Sequence, residues 1–252
     1  MHKPFADHFS GVATYYAGSR PSYPPELVRW LAGQCRVRGL AWDCGAGNGQ
    51  ASVLLAEHFE RVIATDASTA QIAQAARTAR GVEYRVALAE ESGLADACAD
   101  IVTVAQALHW FDTPRFFAEA VRVLKADGIL AAWSYGKLHI EEAEIDAAVQ
   151  SFYENDVGPY WPPERRHIED GYRSIPFPFA RLEPPAFTMA AAWTLPELLN
   201  YLRSWSATAA FIKAQGIDPV DQLHRTLLRL WGDPERPRLV VWPLNVLVGH
   251  KD

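Results

Sequence analysis

Ala41-Trp42-Asp43-Cys44-Gly45-Ala46-Gly47-Asn48-Gly49-Gln50 is the stretch on which the fold turns. The apolar run Gly39-Leu40-Ala41-Trp42 predicts a short strand, and glycines then alternate up to a helical stretch that opens at Gln50. Glycine at a strand-to-helix turn lets the backbone bend tightly and keeps side chains away from an approaching ligand. The helix beyond it offers unbonded N–H groups and the positive end of its dipole. A dinucleotide fingerprint, G-x-G-x-x-G, would need a third glycine where Gln50 stands. Asp43 would also set a carboxylate where a pyrophosphate has to lie, a placement that suits a cationic ligand group instead.

Working outward, further signals fall at the ends of predicted strands. A strand over Arg61–Thr65 stops at Asp66, 19 residues beyond Gly47, where a carboxylate can accept hydrogen bonds from ribose hydroxyls. Ala89-Glu90 follows a strand over Val82–Val86, and the strand Asp100–Ala105 runs into Gln106. Helical spacing is read over 26–34, Gln50–His58, Thr69–Arg80 and Pro114–Leu124, and a further strand over Ile129–Trp133 follows the turn Ala126-Asp127-Gly128. Strands alternating with helices predict an α/β fold, a mostly parallel sheet with helices on both faces.

Past about residue 135 the alternation ends. A helix over Glu141–Tyr153 leads into Gly158–Phe179, dense in proline and aromatics, which is expected to form a cover. A strand over 180–189, helices over 194–205 and 218–231, and a closing strand or hairpin over Arg238–Gly249 complete the prediction. Pro243 in that last run points to a bulge or an edge. The expected organisation is one domain over 1–252, with N-terminal cap helices over about 1–35 and a lid-like insertion over about 136–180.

These pieces together resemble the class I S-adenosylmethionine-dependent methyltransferases, in the small-molecule branch called methyltransferase type 11, near the trans-aconitate methyltransferase-like proteins. The resemblance rests on Asp43–Gln50, Ala64–Ser68 with Gln71, Ala89-Glu90, Asp100–Asp112 and Leu124–Trp133, with Phe9, Tyr16 and Arg20-Pro21-Ser22-Tyr23-Pro24 before them. It covers about the first 135 residues, whereas the C-terminal half matches in general layout, a cap and a last antiparallel strand. It implies S-adenosylmethionine as cofactor, with Asp43, Gly45 and Gly47 near the methionine portion. Asp66 is implied at the ribose, Ala89 and Glu90 at adenine, and Gln106 beneath the sulfonium; Ala67 is a further cofactor candidate, and Gln71 reads as an adenosine contact or as a solvated helical residue. Leu88 stands where many relatives carry Asp, which leaves adenine recognition to Glu90 or to backbone. The implied reaction is direct in-line attack on the methyl carbon by an acceptor oxygen, nitrogen or carbon, with the carbon–sulfur bond breaking and S-adenosylhomocysteine leaving.

The acceptor side is less legible. Arg20, Trp110, Trp161, Arg165 and Arg166 are the candidate substrate contacts, the arginines for an acidic group. No catalytic base is assigned, and His109 and Tyr16 are the candidates for an acceptor that must lose a proton. His109 also reads as a packed, hydrogen-bonded histidine.

Composition narrows the classes. The chain of 252 residues carries 24 Lys and Arg against 30 Asp and Glu, a formal charge of −6, with no basic stripe for nucleic acid. Its 3 cysteines and 8 histidines show no metal-ligand spacing, so no metal is expected. The opening residues hold no apolar signal core and no 18-residue apolar run occurs, so a soluble, cytoplasmic protein with a small-molecule acceptor and no membrane or nucleic-acid partner is expected. Nine tryptophans fit either an aromatic pocket or a core. Two alternatives remain: an NAD(P)-binding oxidoreductase on the same fold, and a non-catalytic S-adenosylmethionine-binding protein.

Overall fold

Residues 21–75 and 81–251 are described by a computed structural model. Pro25 opens α1 (Pro25–Gln34), where proline lacks only an N–H that the first turn would leave unbonded, and Glu26 complements the dipole. The chain then runs β1 (Leu40–Cys44), α2 (Gln50–Leu55), β2 (Arg61–Asp66), α3 (Thr69–Ala75), β3 (Val82–Val86), β4 (Ala99–Ala105), α4 (Thr113–Val123) and β5 (Leu124–Tyr135). The second half holds β6 (His139–Ile140), α5 (Ala143–Ser151), α6 (Arg165–Glu169), β7 (Ala180–Arg181) and β8 (Phe187–Trp193). It ends with α7 (Leu195–Arg203), α8 (Ser206–Gln215), α9 (Val220–Trp231) and β9 (Arg238–His250).

The sheet order is β3-β2-β1-β4-β5-β9-β6, with β7 and β8 also on β9. β1 to β5 are parallel to their neighbours, and β9 runs antiparallel to β5. This is a Rossmann-like α/β fold with an antiparallel last strand. Both faces are covered, and strand alternation distributes the side chains between two cores. Ala41, Ile101, Ala131 and Trp133 pack with α1, α5, α7 and α9, while Trp42, Val102, Val104 and Ala132 pack with α4 and the segment around Ile168. Pro243 lies between the two stretches of β9 that pair β5 (residues 244–250) and β6 (residues 240–241), where a missing donor is tolerated.

Several expectations shift. The helix expected to reach His58 ends at Leu55, and the one expected over 141–153 stops at Ser151 and passes into a single π-type turn, Phe152–Asp156. The strand expected over 180–189 is divided by Pro184-Pro185 into β7 and β8. The helix expected over 194–205 ends at Arg203, and α8 follows it unannounced, because its small residues form no apolar stripe and Ala207 and Thr208 are its buried positions. Residues 136–180 are not wholly a surface insertion. β6 joins the sheet, and Ile145 and Val149 of α5 are buried in the core.

Candidate active site

The carboxyl ends of β1, β2, β4 and β5 open on a cavity of about 530 Å³. Ligands bind at these ends in open α/β sheets, where loops can bend away in different directions. Gly45, Gly47 and Gly49 hold φ of 69°, 55° and 87°, the left-handed region that favours glycine. A Cβ on Gly45 would come 2.7 Å from the Ala107 Cβ, and one on Gly49 would collide with the Tyr84 hydroxyl. At Gly47 a Cβ would meet nothing within 4 Å, so this glycine faces open space on the cavity wall.

Asp66 fastens the loop. Its Oδ2 accepts the Gly47 N–H at 2.9 Å and its Oδ1 accepts the Ser68 N–H at 2.8 Å, and the residue lines the cavity. Asp43 does not line it, which corrects the expected ligand contact. β1 is buried along its whole length, so Asp43 points into the protein, where it accepts from Ser52 Oγ at 2.5 Å and Thr103 Oγ1 at 2.9 Å. Burial pushes its carboxyl up to about 6, with the two hydroxyls opposing and the nearby Asp66 charge reinforcing the shift. Asp43 therefore ties the loop-side end of β1 to α2 and β4.

Ala67, Gln71, Leu88, Ala89 and Glu90 also line the cavity. Glu90 Oε1 accepts the Asp112 N–H at 2.8 Å and so links the loop after β3 to the start of α4. Gln106, at φ 56°, closes an amide pair with the backbone of Tyr135, accepting at 2.8 Å and donating at 3.0 Å. That pairing holds the ends of β4 and β5 together beneath the cavity. His109 is buried yet reaches the wall, with Nδ1 3.2 Å from the Tyr172 hydroxyl and its ring 4.6 Å from that of Trp110.

The opposite end is aromatic. Trp161 and Trp205 stand 5.5 Å apart on the wall, and the Arg165 guanidinium lies 4.5 Å over the Trp161 ring while its Nε donates to the Tyr153 hydroxyl at 2.9 Å. Arg166 does not join Arg165 and faces a separate depression of about 250 Å³, since adjacent helical residues point apart. The two arginines thus form no common anion fork. Arg20 and Tyr16 lie outside the described residues. Tyr23, Tyr135, Tyr201, Trp205 and Ser206 line the cavity without having been named as site residues from the sequence. Tyr135 at a strand's carboxyl end, and Tyr201 and Trp205 at helical i, i+4 spacing, were the available signals. The tryptophans divide: Trp110, Trp161 and Trp205 line the cavity, whereas Trp42, Trp133, Trp231 and Trp242 are fully buried.

A methyltransferase-domain profile matches residues 42–132, the segment from β1 into β5. A Dictyostelium discoideum protein assigned as a methyltransferase is 38% identical over 255 residues, covering 98% of this chain and 96% of its own length. A solved structure from Anaeromyxobacter dehalogenans, assigned as a type II methyltransferase, superposes with a TM-score of 0.86 at 45% identity, over 92% of this chain and 97% of that one. The chain belongs to the class I S-adenosylmethionine-dependent methyltransferases. A Saccharomyces cerevisiae protein assigned as an S-adenosylmethionine-dependent methyltransferase is 25% identical over 230 residues, 77% of this chain and 78% of its own. The enzyme's cofactor is S-adenosylmethionine, and the oxidoreductase alternative is set aside. Among the described residues no cluster of His, Cys, Asp and Glu could hold a metal ion, and no helix is long and apolar enough to cross a membrane.

Proposed function

We propose that this methyltransferase acts on a small molecule, held at the Trp161–Trp205 end of the cavity while the cofactor occupies the glycine end. The single observation that carries this reading is the cavity itself: one continuous space of about 530 Å³ whose wall runs from Gly47 and Asp66 to Trp161 and Trp205. A space of that size is ordinary for a small ligand. The net charge of −6 gives no attraction for nucleic acid.

The residues at the glycine end suit the cofactor. Gly47 leaves open space that any side chain would fill, and Asp66 supplies a carboxylate oriented by two backbone donors. Asp66 would take the ribose hydroxyls, Gly45 and Gly47 the methionine portion, Ala89, Glu90 and Leu88 the adenine, with Ala67, Gln71 and Gln106 completing the wall. S-adenosylmethionine, when bound, supplies a methyl group already activated on a positively charged sulfur. The chain's own task is then alignment and exclusion of water, and proximity alone is worth up to ~7–11 kcal/mol in well-oriented reactions. The aromatic end does the second part: Trp110, Trp161 and Trp205 would stack on an apolar or conjugated acceptor, and Arg165 would fix an acidic group. A carboxylate acceptor is ionised at pH 7 and attacks in line without a base. A phenol or amine must lose a proton, and His109 on the wall is the group to test for receiving it. The part of residues 136–180 that carries Trp161 and Arg165 serves as the cover.

The experiment is a methylation screen of purified enzyme with small carboxylic acids, phenols and amines, repeated with Trp161→Ala and Arg165→Ala. Turnover of a small acceptor is expected, lost or weakened in both variants while cofactor affinity stays unchanged. Activity confined to macromolecules, or turnover indifferent to both replacements, would overturn the reading.

A further inference from the structure

β3 ends the sheet, and no strand among the described residues takes its outer edge. Unlike β1, it is not buried: Glu83 and Val86 are exposed, Val86 to 52%. An open strand edge is a row of unpaired N–H and C=O groups that templates pairing with another chain. Natural edges are blunted by shortness, proline, bulges or charge; β3 is short and charged but has no proline, and its two charges are of opposite sign, so a second copy can meet each with its complement. Its sequence is Val82-Glu83-Tyr84-Arg85-Val86. Read about Tyr84 it is charge-palindromic: Glu83 mirrors Arg85, and Val82 mirrors Val86.

We propose that the enzyme self-associates through β3, two copies pairing antiparallel about a two-fold axis at Tyr84. In that register Glu83 of each copy lies opposite Arg85 of the other, on one face, and Val82 lies opposite Val86. Antiparallel cross-strand neighbours sit close enough for both contacts, and opposite charges directly across a ladder are favourable. The contact is isologous, so it closes at two copies and does not propagate. Within one copy Glu83 already meets Arg85 at 2.6 Å and Arg61 at 3.5 Å, so pairing would join two such clusters into one network. The seam borders the cavity, since Tyr84 rests against Gly49 and Val86 leads into Ala87 on its wall. A one-residue slip sets Glu83 against Tyr84 or Val86 and a two-residue slip sets like charges together, so only the in-phase register pairs both charges. A five-residue edge covers less than the about 800 Å² per partner of a stable interface, so the dimer is weak and reversible.

The test is sedimentation velocity of the full chain from micromolar to near-millimolar concentration, with Arg85→Glu and the double variant Glu83→Arg/Arg85→Glu. Folding of each is checked by circular dichroism and melting. The expected result is a concentration-dependent monomer–dimer equilibrium, weakened roughly tenfold or more by Arg85→Glu, which opposes four carboxylates across the seam. The double swap restores the palindrome with signs reversed and should return the equilibrium toward that of the unmodified chain. Added salt should weaken association, since these side chains are exposed. A monomer throughout the range, a dimer unmoved by Arg85→Glu, or a double variant no better than the single one would each overturn the proposal.

Discussion

Asp43→Asn separates the burial of a charge from the hydrogen bonds that surround it. The Asp43 carboxyl is raised from 3.8 to about 6, chiefly by burial. At 1.36 kcal/mol per pKa unit, holding the ionised form in the folded chain costs about 3 kcal/mol at pH 7. The sign follows from linkage: between about pH 4 and pH 6 the folded chain keeps a proton that the unfolded chain has lost, so stability falls as pH rises through that window. Asparagine keeps a carbonyl acceptor and an amide in nearly the same volume, and hydroxyls can turn to meet either, so Ser52 and Thr103 stay bonded. Urea unfolding of the parent and Asp43→Asn proteins, measured from pH 4 to pH 7.5, should show the variant gaining on the parent by about 3 kcal/mol across the range. Any constant offset from the fit of the amide cancels in that difference. Asp43→Ala should show the same pH-dependent gain on a lower baseline, because two buried hydroxyls lose their acceptor at about 1–3 kcal/mol each. A parent–Asn difference that stays flat over the window would refute the placement of a shifted carboxyl at this position.

Gly47→Val should abolish cofactor binding in calorimetry while leaving a folded chain, since the new side chain enters open cavity space at φ 55°; normal binding would mean the loop does not face the cofactor. Asp66→Ala removes the acceptor of the Gly47 and Ser68 N–H groups, and cofactor affinity should fall by roughly tenfold or more, the value of a charged hydrogen-bonding group. Glu119, lowered to about 2 first by its bonds to Arg122, acts in the opposite sense from Asp43: its stabilisation is full above pH 4.5 and is lost as pH falls toward 2. Glu119→Gln should therefore be roughly 1–3 kcal/mol less stable at pH 7 and converge on the parent in acid, as read by unfolding curves at several pH values.

The half of the site around Gly45–Gly49 and Asp66 was legible because it is built from turns at strand ends, where spacing along the chain dictates position in space. What spacing could not give was direction. Asp43 precedes the loop by two residues and reads as a ligand contact, but β1 is covered on both faces, so its side chain ends inside the protein on Ser52 and Thr103. Arg165 and Arg166 read as a pair, although neighbours on a helix diverge by about 100° and reach different depressions. α8 escaped notice because Ser206–Gln215 has neither an apolar stripe nor a capping side chain; its start is set by the break at Ser204-Trp205. Tyr201 and Trp205 read as neighbours on one helix, but α7 ends at Arg203 and Trp205 precedes α8, and nothing local says that this break lies at the mouth of a cleft.

The two ends of the cavity differ in origin, and this shapes what each can tolerate. The glycine end is fixed by short-range bonds among β1, β2 and β4, where Asp43 and Asp66 bridge elements adjacent in the sheet. The aromatic end is assembled from the second half of the chain and is anchored to the last strand, where Trp242 Nε1 donates to the Tyr201 hydroxyl at 3.2 Å and the rings of Tyr201 and Trp205 lie 5.8 Å apart. On the proposed function, a change of acceptor would come from replacing Trp161, Arg165 or Trp205 without disturbing the loop beneath. The Tyr201–Trp242 contact sets the limit on that freedom, because it belongs to the core that holds β8 and α7 against β9, so the cover can be re-lined more readily than it can be moved.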